Sequence, residues 1–334
     1  MKTAVGSVIF EGAEKYLRDF FLSLEMQTDQ DFSIIIINDN ISSEHLDQII
    51  RQVSPNIKER LSIVDRTQSK LNPATLRVEL LREAFYKDID LLIMLDCDDK
   101  ASSNRVCCVK EQLDPAYTFF YNELLDFNGN SIMKELPDYT LNYRDIGQSN
   151  YLGISNGAIF LKGISQAFIE SLGEVETRIF DWYLYSRLLL NEKKGKKING
   201  CYTYYRIYEA NLAGKCEWSR QAVKKEIEIK REHYRLLTPY DNYYKNLLQV
   251  YSSTCTAIYR AICRPRDDRI LVESDKYSIR GGTIKNDSID TCPWRIKGIT
   301  GEKYKESVRK TTNCIHNSGG FKCKWNKSSS CDNG

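Results

Sequence analysis

Three aspartates, Asp96, Asp98 and Asp99, follow the apolar run Leu91 to Leu95. Alternate residues of an extended segment share a side, so Asp96 and Asp98 can converge, and Asp99 adds a third carboxylate as the chain turns. Neighbouring carboxylates repel one another unless something positive lies between them. A hard divalent cation, Mn2+ or Mg2+, held by a few oxygens and completed by water and a diphosphate, meets that need. It would neutralise charge on a nucleoside-diphosphate leaving group. The competing reading is an acidic loop that caps the next helix, over about Asn104 to Leu113. A further acid, Asp39, ends a second apolar run, Phe32 to Ile37, within Asn38-Asp39-Asn40.

The elements that must carry these acids alternate. Short apolar strands are predicted over Val5 to Phe10, Phe32 to Ile37, Leu61 to Val64 and Leu91 to Leu95. Helical spacing lies between them, over Glu14 to Met26, from Ser43 and from Pro73 to Tyr86. Strands apolar throughout are buried on both faces, and strand–helix alternation implies right-handed crossovers and a mostly parallel sheet. Ligands of such sheets bind beyond the carboxyl ends of the strands, where both acidic clusters fall. Farther on, Tyr117 to Asn122 and Leu124 to Phe127 read as strands, with Asn128-Gly129-Asn130 as a hairpin turn. Ser155 to Leu161 is another strand, with Asn156 and Gly157 either a backbone approach to a sugar or a bulge. Phe180 to Leu190 is a helix, Lys193 to Lys197 a basic loop and Tyr202 to Tyr208 a strand. Ser219 can cap a helix through Leu237, and Tyr240 to Ile262 is helical. His45 and His233 fall on polar helical patterns and read as surface residues. Cys107 and Cys108 read as the buried side of a helix.

The chain has 334 residues, enough for a substantial core, with 42% hydrophobic and 28% charged residues. A wholly disordered or fibrous chain is excluded. No run approaches the roughly 20 apolar residues of a membrane span. The net charge of +3 argues against a nucleic-acid binder. The charge is uneven: Cys255 to Gly334 holds 16 basic and 9 acidic residues, a net +7, leaving −4 for the remainder. Such a tail is either a solvated basic segment or suited to phosphates and anionic membrane surfaces. The N-terminus shows no signal-peptide pattern, so the 11 cysteines are expected to be reduced thiols of a cytoplasmic protein.

Taken in order, these segments resemble family 2 glycosyltransferases of the GT-A fold. The opening GSVIFEGAEKYLRDFFLSLEMQTDQDFSIIIINDN matches the family's first strand and helix, its "SLxxQT" segment (Ser23-Leu24, Gln27-Thr28) and its acid-ended second strand, with Asn38 replacing the first acid. LDCDD at Leu95 to Asp99 matches the family's metal-binding DxD segment. PATLRVELLREA resembles the helix that carries an Arg, here Arg77. FDWYLYSRL at Phe180 to Leu188 resembles the acceptor-side motif in which acids precede Trp, with Phe180 in place of one acid. YRIYEANLAG at Tyr205 to Gly214 resembles a later segment, with Tyr208 in the usual His place. The resemblance spans roughly residues 3 to 240.

The resemblance implies an inverting, metal-dependent glycosyltransferase. A nucleotide-sugar donor, most simply a UDP-sugar, would pass its sugar to a glycan or lipid-linked acceptor, with Mn2+ or Mg2+ as cofactor, in the cytoplasm or at the inner face of the membrane. Asp39 would bind the base, Arg77 the base or diphosphate, and Asp96 and Asp98 the ribose and metal. Asp99 would ligate the metal directly, and Asp181 would deprotonate the acceptor. Trp182 and Asn156 would contact the acceptor, although core packing explains Trp182 as well. Arg206 would face the diphosphate or pair at the surface. The expected organisation is a GT-A domain over 1–218, with a donor half to about 121 and an acceptor half from 122. A helical extension over 219–263 and a basic, Cys-containing tail over 264–334, poorly ordered or unassigned, would follow. Two other classes stay open: a sugar nucleotidyltransferase, which the acidic Glu11-Gly12-Ala13-Glu14 disfavours, and a nucleotide-sugar or glycan-binding module without catalysis.

Overall fold

The computed structural model describes residues 1–207 except Lys70, Lys134 and Glu174, residues 220–262, and two short strands, Leu271–Glu273 and Arg295–Lys297. The expectations for Tyr208 to Gly214, for the Ser219 cap and for the rest of the 264–334 tail lie outside the described residues. In chain order the elements are β1 (Thr3–Phe10), α1 (Glu14–Glu25), β2 (Ser33–Asp39), α2 (Ser43–Arg51), α3 (Pro55–Arg60), β3 (Leu61–Asp65) and α4 (Pro73–Tyr86). They continue with β4 (Leu91–Met94), β5 (Lys100–Ala101), α5 (Arg105–Gln112), β6 (Phe119–Leu125), β7 (Tyr139–Thr140) and β8 (Gly157–Phe160). Then come α6 (Gln166–Leu172), α7 (Phe180–Leu190), β9 (Gly195–Tyr204), α8 (Arg220–Leu237) and α9 (Asn242–Ile262).

One nine-stranded sheet runs β3-β2-β1-β4-β8-β6-β9-β5, with β7 beside β9. The first four strands are parallel, β8 is antiparallel to β4 and β6, and β6 is parallel to β9. After β1 the chain builds outward through β2 and β3, then returns to place β4 on the other side of β1. That reversal is a topological switch point, where the strand ends splay and leave a crevice.

The apolar strands divide their side chains between two cores. Ile35, Ile37, Leu92 and Met94 face one face of the sheet, with α4, α6, α7, α8 and α9. Ile34, Ile36, Leu91, Ile93 and Leu95 face the other, with α1 and α5. Pro73 at the start of α4 supplies a pre-set φ, and the Asn72 side chain accepts the Thr75 amide to cap it.

Several local expectations are corrected. Tyr117 to Phe127 does not hold two strands. It contains the single strand β6, whose register shifts between Tyr121 and Glu123 against β9. Asn128 to Asn130 does form a turn, at Gly129 with φ 84, whose amides are held by Asp126. Three of the residues expected as a basic loop, Gly195 to Lys197, are instead the start of β9. Helices α3 and α6 were not foreseen, because six or seven residues carry too little periodicity to be read. Cys107 and Cys108 are half-buried, and only Cys108 packs against the core. Tyr234, Leu237, Tyr244, Leu247 and Tyr251 of α8 and α9 share one core with α7, so a continuous core joins the helical extension to the sheet.

Candidate active site at the sheet switch point

The acids sit at the carboxyl edge of the central strands. Asp39 ends β2 opposite Phe10 of β1, and burial raises its carboxyl pKa. Its predecessor Asn38 is buried for a different purpose. Its amide nitrogen donates to the Ile41 carbonyl (2.9 Å), and its oxygen accepts the Ile41 amide (3.2 Å). An ionised acid could not make both bonds, so Asn here shapes the turn that presents Asp39.

Asp96 to Asp99 form a turn rather than an extended run, closed by the Asp99 amide on the Asp96 carbonyl at 3.1 Å. Leu95 is tied to Gly6 of β1, and the Asp96 amide donates to Ser155 Oγ at 2.8 Å. The turn buries Cys97 and Asp99, while Asp96 and Asp98 stay half-exposed. One Asp99 oxygen accepts the Arg206 amide (2.8 Å), and the other is buried without a hydrogen bond of acceptable geometry. Burial, then the Asp98 and Asp96 carboxylates, push the Asp99 pKa well above the usual range, against the pull of Ser155 and the Arg206 amide. The capping reading of this loop fails: α5 starts at Arg105, and the side chain of its cap residue Asn104 makes no cap bond.

The "SLxxQT" residues hold the chain just after this turn. Ser23 Oγ accepts the Ala101 amide (3.3 Å), and Thr28 donates its amide to the Ser103 carbonyl (2.7 Å). Buried Gln27 donates to Ser23 and Ser102 carbonyls and accepts the Val106 amide. These side chains substitute for secondary structure where the backbone leaves the sheet.

Two arginines lie at the turn from opposite sides. Arg77 of α4 donates to Asp96 Oδ1 at 3.0 Å. Burial works against its charge, but Asp96, then Asp181, more than offsets this and raises its pKa. Arg206, past the end of β9, donates from Nε to the Asp98 carbonyl (2.9 Å) and from Nη2 to Asp19 of α1 (2.7 Å). Its guanidinium lies over the Tyr16 and Phe127 rings. It therefore clasps the acidic turn to α1. A third arginine, Arg105, escaped sequence reading. It is fully buried below the turn and donates to the Met94 and Gly157 carbonyls, with burial lowering its pKa to about 10. An arginine at a helix start gives no sign of such burial in the sequence.

Asp181 occupies the first turn of α7, close enough to Arg77 and Asp96 for their charges to act on it. Asn150 donates to its Oδ2 at 3.3 Å. Burial raises its pKa to about 6, the Trp182 amide and Arg77 pull it down, and Asp96 raises it further. A surface acid at a helix N-terminus would instead be depressed. Asn150 and Ser155, both unforeseen, belong to the segment leading into β8.

The two residues expected at the acceptor are both buried. Trp182 is 5% exposed, donates Nε1–H to the Ile146 carbonyl (2.7 Å) and stacks on His233, leaving no open face for a sugar. Asn156 is 1% exposed, donates to the Asn122 carbonyl and accepts the Gly153 amide. It joins β6 to the loop before β8. His233, expected at the surface, is fully buried.

Asp98 and Asp99 suit a hard cation: oxygen donors, excess negative charge and one buried carboxylate oxygen lacking a donor. Among the described residues no three ligating side chains converge, so the remaining ligands would be water or substrate oxygens.

Residues 8–131 match the family model described as Glycosyl transferase family 2. No curated protein matches the chain by sequence. Among solved structures, S. aureus TarS 1–349 in complex with UDP-GlcNAc superposes with TM-score 0.52 at 15% identity, over 78% of this chain and 74% of that one. The same protein with UDP gives 0.51 at 15%, over 78% and 73%. GalNAc-T7 with UDP, GalNAc and Mn2+ gives 0.51 at 11% identity, over 76% of this chain and 50% of that one. At such identities the likeness establishes the fold. The sheet with its switch-point acids is a GT-A fold, and residues 8–131 within it match the glycosyl transferase family 2 model.

Proposed function

We propose that the protein is an inverting glycosyltransferase that moves a sugar from a UDP-sugar to a glycan or lipid-linked hydroxyl, with Asp181 as the base. The observation carrying this reading is Asp181 itself: a carboxylate with a pKa near 6, set beside the Arg77–Asp96 pair at the switch point. An acid tuned to that value is ionised at neutral pH yet basic enough to take a proton as bonding proceeds, a contribution of about 10²–10⁴ in rate.

The acceptor oxygen attacks the anomeric carbon from the Asp181 side. Its proton passes to a carboxylate oxygen of Asp181. The bond from the anomeric carbon to the β-phosphate oxygen breaks, and its electron pair leaves with UDP. One displacement inverts the anomeric centre. Asp39 receives the base, Asp96 the ribose, and Arg77 lies where a base or diphosphate approaches. Asp98 and Asp99 would hold Mn2+ or Mg2+, which supplies positive charge to the departing diphosphate. UDP in TarS and UDP with Mn2+ in GalNAc-T7 support the choice of donor and cation. No helix among the described residues is long and apolar enough to cross a membrane, and the basic tail suits a lipid-linked acceptor at the inner membrane face.

Thermal unfolding with UDP, GDP, CDP, CMP and ADP, each with and without Mn2+ or Mg2+, tests the reading. Nucleotide at about 100 times its Kd should add about 2.7 kcal/mol of stability. A metal-dependent shift with UDP, lost in Asp99→Ala, is expected. No shift with any nucleotide would refute the transferase assignment.

A further inference from the structure

The geometry points to His233 of α8 as a positioning residue for the base Asp181, acting through Trp182; this rests on Asp181 being the base. His233 lies 52 residues beyond Asp181, in the segment the sequence sets apart as a helical extension. Its ring stacks on the Trp182 indole with centroids 4.1 Å apart and planes 26° from parallel. Trp182 is the next residue after Asp181 in the first turn of α7, so the stack fixes how that turn is rotated.

The contacts leave Trp182 one orientation. Its Nε1–H is spent on the Ile146 carbonyl at 2.7 Å, which ties it to the segment carrying Asn150. Asn150 in turn holds Asp181 Oδ2. Asp181 is thus gripped through its carboxylate by Asn150 and through its neighbouring backbone by Trp182. His233 provides the surface against which that backbone is set. It is in turn boxed by Tyr234 and by Tyr244 of α9, at 5.7 and 6.0 Å between centroids, and Ser186 Oγ lies 3.5 Å from its Nε2. Burial, then the Lys230 charge, lowers the His233 pKa to about 3, so the ring stacks as a flat neutral group. The buried Lys230 is itself held by Glu226 and Tyr251, which locks α8 to α9.

A positioning role differs from simple core filling in what each substitution does. His233→Leu keeps most of the volume but removes the flat face. His233→Phe keeps a flat neutral ring and loses only the hydrogen-bonding nitrogens. Displacing a catalytic group by about 1 Å can cost about 100-fold in rate. The readout is UDP release from UDP-GlcNAc, UDP-GalNAc, UDP-glucose and UDP-galactose with Mn2+, water serving as acceptor, with the UDP Kd measured by calorimetry on each full-length variant. Expected is a 10- to 100-fold lower kcat in His233→Leu with an unchanged UDP Kd, and recovery to within threefold of wild type in His233→Phe.

Wild-type kcat in His233→Leu overturns the inference. So does an equal loss in both variants, or a Kd that weakens in step with kcat. If His233→Leu does not fold, Trp182→Phe decides: a kcat loss at unchanged Kd upholds the role, and wild-type kcat ends it. Asp181→Asn run alongside separates the two readings. Retained turnover there refutes the base and this inference with it; lost turnover with a wild-type His233→Leu refutes this inference alone. Absence of turnover by the wild-type chain with all four donors overturns both.

Discussion

Arg77 Nη2 and Asp96 Oδ1 meet at 3.0 Å, joining helix α4 to the turn after β4 beside Asp181. One cation thereby faces two carboxylates, Asp96 and Asp181. The pair is half-exposed, so its worth lies less in stability than in where it puts positive charge.

Removing that charge should be read most directly in pH dependence. Arg77→Met deprives Asp181 of a charge that favours its ionised form, and leaves the Asp96 repulsion unopposed. The acid limb of the kcat profile, at about pH 6 in the wild type, is expected to move to higher pH. A profile that stays in place would show that Arg77 does not act on Asp181.

Asp181→Asn should lose about 10²–10⁴ in turnover with UDP binding intact. It should also stabilise the protein at neutral pH. A carboxyl whose pKa is raised on folding binds its proton more tightly in the folded state. Its stabilising contribution is full below the ordinary value of 3.8 and is lost as pH rises through about 6. Charged Asp181 is therefore a net cost at pH 7, about 1–2 kcal/mol once partial exposure is allowed for. A Tm a few degrees higher for the variant at pH 7, with the difference vanishing near pH 4, is the expected calorimetric result.

Gln27→Ala should cost about 2–3 kcal/mol, because the Ser102 carbonyl and Val106 amide lose their partner in a buried setting. The loss falls on the segment after the acidic turn, so the metal-dependent part of the UDP shift should weaken more than the metal-free part. Thermal unfolding with UDP, with and without Mn2+, measures both.

Gly157→Ala tests the packing under the site. A Cβ there would stand 1.9 Å from the Tyr185 hydroxyl and 2.9 Å from the Gly153 carbonyl, and the second is backbone. Overpacking of this kind costs about 1–3 kcal/mol. Gly12→Ala, with φ 90 but open space around it, should cost less, about 1 kcal/mol from backbone strain alone. Denaturant midpoints should fall in that order.

The sequence by itself determined the GT-A order of strands and helices. Runs such as Ile34 to Ile37 and Leu91 to Leu95 admit only strands buried on both faces, and α4 and α7 were bounded by their own spacing. It also located the acids at strand ends, since a charge after a buried run must lie where the strand leaves the core. Only the tertiary structure decided which of these residues meet. Asp181 stands 85 residues from Asp96, and the packing that sets Tyr185 of α7 against Gly157 of β8 and Phe119 of β6 brings them within reach of one arginine. The same packing buried residues that local pattern assigns to the surface or the site, namely His233, Arg105, Trp182 and Asn156. Hydrophobic periodicity reports how each element presents its faces to water. It is silent on polar side chains whose burial is offset by partners supplied from distant segments, such as the carbonyls that hold Arg105 and the indole that covers His233.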